Sequence, residues 1–437
     1  MGISNLIFLA LFTLGSLWFA LNVRKIVRNI RLGRDEDRSD RSTERWKIMT
    51  KVALGQSKMV VRPIAGILHI VIYAGFVIIN IEVLEIIIDG IFGTHRVFAP
   101  IFGELYNFLI GSFEILAALV LLACVFFLIR RNILYIKRFR ANELNGWPRS
   151  DANIILFVEI LLMSAFLTMN AADNILQDRN IDGYIHAGGF PVSKFLYPLF
   201  NNFTTSGLIA IERFTWWFHI VGILLFLNYL PYSKHFHILL AFPNVYFSNL
   251  NKKGKFNNMD AVTNEVKLMM DPSLTPPEPS ETPVKFGAKD VMDLTWKNLL
   301  DAYTCTECGR CTSECPANKT GKLLSPRKIM MDTRDRLEVV GKNINKNKGK
   351  FVEDGITLLH HYITPEEIWA CTTCNACTEA CPVNIDPLAI IVDLRRQLVM
   401  EESAPPPSLN AMFTNVENNG APWQFAASDR LNWAEEN

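Results

Sequence analysis

Residues 305–316 read CTECGRCTSECP, and residues 371–382 read CTTCNACTEACP. Each is a C-x2-C-x2-C-x3-C-P run, in which three closely spaced thiolates wrap a four-iron cubane and the fourth cysteine, followed by proline, reaches toward the other cluster. That spacing assigns Cys305, Cys308, Cys311 and Cys381 to one [4Fe-4S] cluster and Cys371, Cys374, Cys377 and Cys315 to a second. Zinc sites usually pair two separated C-x2-C hooks, a pattern that two four-cysteine runs closed by Cys-Pro do not match. The chain has 9 cysteines. All but Cys124 fall in these runs, which is metal-ligand usage more than a disulfide framework. Cys124 lies inside an apolar stretch and reads as a small buried hydrophobe.

Working outward, composition divides the 437 residues. A chain of that length favours two or three units over one core. Residues 1–250 carry nearly all the long apolar runs, whereas the rest is rich in Lys, Glu, Asp, Asn and Pro. The net charge of +1 averages two unlike halves and says nothing about partners. Nucleic acid is not expected, because the basic residues flank apolar spans and form no basic face with interleaved aromatics. The expected fold is mainly α: a five-helix membrane domain over 1–250, a linker over 251–295, an α-helical dicluster domain over 296–402 and a partner-docking tail over 403–437. Within the linker, proline-rich 272–283 reads as a stiffened tether.

Apolar segments at about 4–23, 60–88, 106–129, 152–172 and 208–230 are each long enough to cross about 30 Å of hydrocarbon as a helix. The first lacks a basic lead and is followed by Arg24, Lys25, Arg28 and Arg31, so it reads as an uncleaved anchor with its N-terminus outside. Connections 24–51, 130–149 and 234–255 hold twenty Lys and Arg, against three in 89–105 and 173–205. The positive-inside rule then makes the first set cytoplasmic, in a bacterial inner membrane, and the cysteine runs with them. A reducing compartment suits thiolate ligands.

Histidine inside a spanning helix is costly and points to function. His69 falls in the second span and His219 in the fifth, where two imidazoles from opposed helices can hold one haem iron. Gly66, Gly75 and Gly222 beside them would let a flat porphyrin approach, helix packing being the plainer use. Beyond the fifth span, PYSKHFHI supplies His235 and His237, and Met59 is a candidate thioether partner for His237. Arg213, near the outer face, is a candidate partner for a haem propionate. One b haem is expected, with room for a second. His95, His186, His360 and His361 read as surface residues. Glu82, Glu114, Glu159 and Glu212 are acidic groups in or near spans, any of which suits quinone-coupled protons.

Three resemblances follow from these residues. The phrase EEIWACTTCNACTEACPVNIDPLAIIVDLRRQLV resembles the α-helical dicluster ferredoxin module of succinate dehydrogenase iron–sulfur subunits and, more closely, of heterodisulfide reductase C subunits. The five spans, with histidines on the second and fifth, resemble the γ subunit of respiratory nitrate reductase, a dihaem quinol oxidase. That family has two histidines on each of those spans, and here the second offers only His69. The fusion of both parts resembles the N-terminal portion of electron-transfer-flavoprotein:menaquinone oxidoreductases, which implies menaquinone or another quinone as membrane substrate. In that family a cysteine-rich CCG domain follows. The tail NVENNGAPWQFAASDRLNWAEEN resembles the segment leading into it, and a separate CCG-domain iron–sulfur subunit is expected to dock on Trp423, Arg430 and Trp433. Electron-transfer flavoprotein is the expected soluble partner by resemblance. The function so implied is quinone-linked electron transfer with cofactors carrying the chemistry. The alternatives are a membrane anchor and electron wire that binds no quinone, and a redox sensor.

Overall fold

In the computed structural model, which describes residues 2–275 and 285–435, five helices are long and apolar enough to cross a membrane. They are α1 (Ile3–Ile30), α2 (Pro63–Phe92), α3 (Glu104–Asn132), α4 (Trp147–Asp178) and α5 (Thr205–Tyr229). Each outruns its apolar stretch. The helix α1 continues through Arg24, Lys25 and Arg28, since Lys and Arg are good helix formers and basic side chains suit a helix C-terminus. Proline stands in the first turn of α2 and of α4, where its missing N–H costs nothing. Neighbours pack in sequence order, and α1 lies against both α2 and α5, which closes the five helices into a ring.

Small residues set the helix spacing. A Cβ on Gly75 would stand 2.4 Å from a Val120 methyl, and one on Gly222 would stand 2.7 Å from Leu162. Close α2–α3 and α4–α5 contact is therefore their main use. Gly66 is likewise pressed against the Met59 carbonyl, at 2.8 Å from an added Cβ.

The second unit is built of shorter helices, among them Trp296–Thr304, Pro326–Lys346 and Pro387–Arg396. Between the two cysteine runs lie the long helix Pro326–Lys346 and a short one at Pro365–Trp369. Thr295, Ser325, Thr364 and Asp386 cap four of these helices by accepting backbone N–H groups. No strand forms among the described residues, only the isolated bridges Arg34–Thr295 and Leu359–Ile363. Part of the proline-rich 272–283 lies outside the described residues.

The two units share one core, in which Ile26 and Ile30 of α1 pack with Leu294, Leu299 and Tyr303. Around it, the basic connections of the membrane unit grip the cysteine-bearing unit. Asn29 donates to the Tyr303 hydroxyl at 2.8 Å, Arg62 pairs with Glu314 at 2.9 Å, Arg327 pairs with Glu143 at 2.8 Å, and Lys234 pairs with Glu307. Gly33 meets backbone across the joint: an added Cβ would lie 2.6 Å from the Trp296 nitrogen and 2.7 Å from the Thr295 carbonyl carbon. Backbone cannot yield as a side-chain tip can. Gly33→Ala is expected to cost about 1–3 kcal/mol of overpacking. The check is a lower thermal midpoint and faster proteolytic release of the cysteine-bearing unit, and an unchanged melt would contradict this reading of the joint.

A candidate metal and cofactor centre

The two cysteine runs fold alike. The first cysteine of each run is extended or leads into an extended turn, the third residue of the run is left-handed (Glu307 φ +56°, Thr373 φ +56°), and so is the fifth (Gly309 φ +70°, Asn375 φ +60°). A β-branched threonine in that region is uncommon, and such local strain concentrates at functional loops. Short helices Arg310–Glu314 and Ala376–Ala380 follow and pack on each other, and Cys315 and Cys381 end them in extended backbone. The loops therefore face one another about a pseudo-twofold axis.

This arrangement brings the eight cysteines into two groups across the loops. Cys311 has Cys305, Cys308 and Cys381 among its thiol neighbours, and Cys371 has Cys315 and Cys374. All are free thiols. Backbone N–H groups aim at sulfur, from Thr373 to Cys371 Sγ at 3.4 Å and from Ile385 to Cys381 Sγ at 3.3 Å. Burial pushes the Cys305, Cys377 and Cys381 thiols up to about 12, so bare protein would keep them protonated. A bound metal reverses that by deprotonating its thiol ligands. Among the described residues no three His, Cys, Asp or Glu side chains are placed to share one ion.

The groups differ in surroundings. Cys374 is exposed, whereas Cys308 borders an apolar cavity of about 450 Å³ that runs down among α2, α3, α4 and α5. His69, His219, His235 and His237 all line it. The ring centres of His69 and His237 are 6.4 Å apart, while His219 stacks at 6.0 Å on Phe166. Nδ1 of His219 is engaged with the Leu162 carbonyl and Nδ1 of His237 with the Lys234 carbonyl, each at 3.0 Å, which leaves both Nε2 atoms for the cavity. Nδ1 of His69 is buried with no partner. Burial lowers His237, and it pushes His235 down to about 3, helped by the neighbouring His237 and His69, so both rings stay neutral with lone pairs free.

The remaining candidates are engaged in other ways. Met59 lines the cavity but its Sδ accepts a hydrogen bond from Arg310 at 3.1 Å. Arg213 is paired with Glu212 and lies 5.5 Å over Trp216 at the opposite end of the bundle. Cys124 is fully buried and Glu159 borders the cavity. His95 stands 3.5 Å from Asp173, His186 meets Asn180 at 3.0 Å, His360 meets Glu402 at 2.8 Å, and His361 accepts from the Thr357 N–H at 3.2 Å. Sequence reasoning missed a buried polar network at that opposite end. Arg96 binds Asp173, Asn170 at 3.2 Å and the Tyr106 hydroxyl at 3.1 Å, and Tyr106 donates to Glu85 at 2.8 Å. Glu114 joins it, accepting from Asn170 at 3.2 Å and the Val192 N–H at 2.9 Å. The available signal was that Arg96 is the single basic residue of its connection.

The 4Fe-4S dicluster domain family matches residues 304–385, the span of both loops. These residues are a 4Fe-4S dicluster domain. Over nearly the whole chain the sequence is similar to two iron–sulfur proteins. One is the probable iron-sulfur-binding oxidoreductase FadF of Bacillus subtilis, 27% identical over 447 residues, covering 96% of this chain and 59% of the relative. The other is the EtfAB:quinone oxidoreductase of Syntrophomonas wolfei, 27% identical over 421 residues, covering 91% and 55%. A probable membrane-anchored ferredoxin of Chromohalobacter salexigens is 34% identical over 163 residues, covering 34% of this chain and 24% of its own. No solved structure matches. The chain spans a little more than half the length of the first two relatives. The chain thus carries a 4Fe-4S dicluster domain beside a unit of five helices long and apolar enough to cross a membrane.

Proposed function

We propose that the chain is the membrane-bound electron-transfer subunit of a quinone-linked oxidoreductase. In this reading Cys305, Cys308, Cys311 and Cys381 hold one [4Fe-4S] cluster, and Cys371, Cys374, Cys377 and Cys315 hold the other. A b-type haem occupies the cavity between His69 and His237. When bound, these groups supply one-electron transfer between a soluble partner and membrane quinone. The chain's own work is to bury, space and orient them.

One observation carries the reading: the cavity that His69 and His237 line is also bordered by Cys308, so the two kinds of ligand share one space. The 6.4 Å between the His69 and His237 ring centres leaves room for one metal ion between them at an imidazole–metal bond of about 2 Å. The expected pairing of His69 with His219 gives way in this proposal to His69 with His237, and His219 offers a further oriented imidazole to the same space. A cavity of this size and apolar lining suits a large flat cofactor. The exposed Cys374 marks the face where a partner delivers or collects electrons. The excess of Lys and Arg on the dicluster side supports a cytoplasmic location for that face. Trp423 and Trp433, 51% and 75% exposed, with Arg430 between them, are suited to anchor a cysteine-rich or flavoprotein subunit.

The test is optical. Purified protein is expected to show a b-type band on reduction by a menaquinol analogue, and His69→Ala and His237→Ala are each expected to abolish it. A band that survives both substitutions defeats the haem assignment. A native band that dithionite reduces but quinol does not leaves a wire without a quinone site.

A further inference from the structure

Five arginines are buried among the described residues: Arg45, Arg96, Arg310, Arg327 and Arg336. Four of them face a carboxylate, in the pairs Arg45–Asp40, Arg96–Asp173, Arg327–Glu143 and Arg336–Asp290. Arg310, 4% exposed, has none among the described residues. Its N–H groups reach the Lys58 carbonyl at 2.9 Å, the Met59 carbonyl at 3.2 Å and Met59 Sδ. Those contacts satisfy hydrogen bonds and leave the charge uncompensated, which is expensive away from water.

Arg138 shares the position and the deficit. It lines the same cavity, its Nε is buried without a partner, and its guanidinium lies 4.9 Å over the Phe139 ring with no carboxylate in reach among the described residues. Both arginines line that cavity, and Arg138 Cβ would stand 3.5 Å from a Cβ added at Gly309, the residue before Arg310. Two unpaired guanidinium groups thus close the end of an apolar cavity whose wall carries His69 and His237. The missing partner is an anion that belongs to whatever fills the cavity.

We propose that Arg138 and Arg310 bind the carboxylate edge of the macrocycle held by His69 and His237, and so turn that edge toward the Cys308 loop. The inference rests on the haem reading above and adds orientation to it. Charge-assisted pairing with a carboxylate suits the planar guanidinium fork. The competing anion is the adjacent cluster. Arg310 also lines the small cavity that Cys305, Cys308, Cys311 and Cys381 enclose, yet none of its hydrogen bonds goes to a cysteine sulfur, and all go to residues 58 and 59 of the membrane unit.

The experiment is a potentiometric titration of the b-type band and of the cluster EPR signals in full-length membrane protein, comparing native chain with Arg138→Gln, Arg310→Gln and the double variant. Arg140→Gln, an exposed neighbour in the same connection, serves as control. Loss of a nearby positive charge disfavours the added electron. The double variant is expected to lower the haem reduction equilibrium at least tenfold, about 59 mV for one electron, with Arg310→Lys recovering part of it. Arg138 lies outside the cysteine run, so its single variant keeps the test alive if Arg310→Gln fails to assemble a cluster. An unmoved haem potential with a shifted cluster potential would overturn the proposal by assigning the charge to the cluster. A native protein with no b-type band overturns it together with the haem reading, and the two failures are told apart by the native spectrum alone.

Discussion

Cys315→Ala is expected to strip the cluster of the other loop, the one held by Cys371, Cys374 and Cys377, and to leave that of its own loop in place. The geometry behind this is the extended backbone at Cys315 and Cys381, which ends two short helices packed face to face and carries each fourth thiol across the axis. About half of the iron and acid-labile sulfide should disappear, since each cubane needs all four thiolates. The surviving EPR signal should be that of the cluster beside the cavity. Cys381→Ala should do the reverse, and because Cys308 is the thiol that borders the histidines, reduction of the b-type band from the soluble side should then fall to background. Quinol-driven reduction of the band should persist. If Cys315→Ala and Cys308→Ala lose the same signal, the crossed assignment is wrong.

Arg336→Ala is expected to unfold the dicluster domain. The side chain is fully buried and pairs with Asp290 at 2.7 Å and Asp354 at 2.7 Å while donating to the Ile356 carbonyl at 2.5 Å. It ties the helix Pro326–Lys346 to the segment entering the domain and to the loop before His360. Removing it strands two carboxylates at the edge of the core, a change that typically costs about 3–5 kcal/mol. A domain has about 5–15 kcal/mol in hand, so the variant should retain little cluster at growth temperature. Arg336→Lys should rescue poorly, because an ammonium cannot serve two carboxylates and a carbonyl in one plane. Anaerobic urea titration of the 4Fe-4S charge-transfer band checks both, and a midpoint equal to native for Arg336→Ala would refute the argument.

The features readable in the sequence were those written locally. Eight cysteines within two twelve-residue stretches specify the cofactor by spacing, and five apolar runs specify the spans by length, so neither needed tertiary information. What joins distant residues was not readable. His237 lies past the last span in a polar segment, and only the fold of 230–246 returns it to within 6.4 Å of His69. His219 sat on the better sequence argument, inside a span, and faces the same cavity without being the nearer ring. Asp173 lies in the last turns of α4, past the apolar stretch, and reads as the start of a loop until Arg96, 77 residues earlier, is seen to bind it. Glu307 and Thr373 carry left-handed backbone that neither residue type advertises. The special status of Arg310 shows only by comparison with four buried arginines that do have partners.

The joint at Gly33 and Asn29 imposes a schedule on synthesis. Asn29 waits for Tyr303, 274 residues further along the chain, and at a ribosomal pace of about 5–20 residues per second that interval is roughly 15–55 s. Throughout it the end of α1 has only the membrane unit to pack on, through Leu230 and Phe236 once these are made. The cysteine-bearing unit, made later than α1, is thus what completes the latch, and maturation of its metal sites falls within the time the joint is still open.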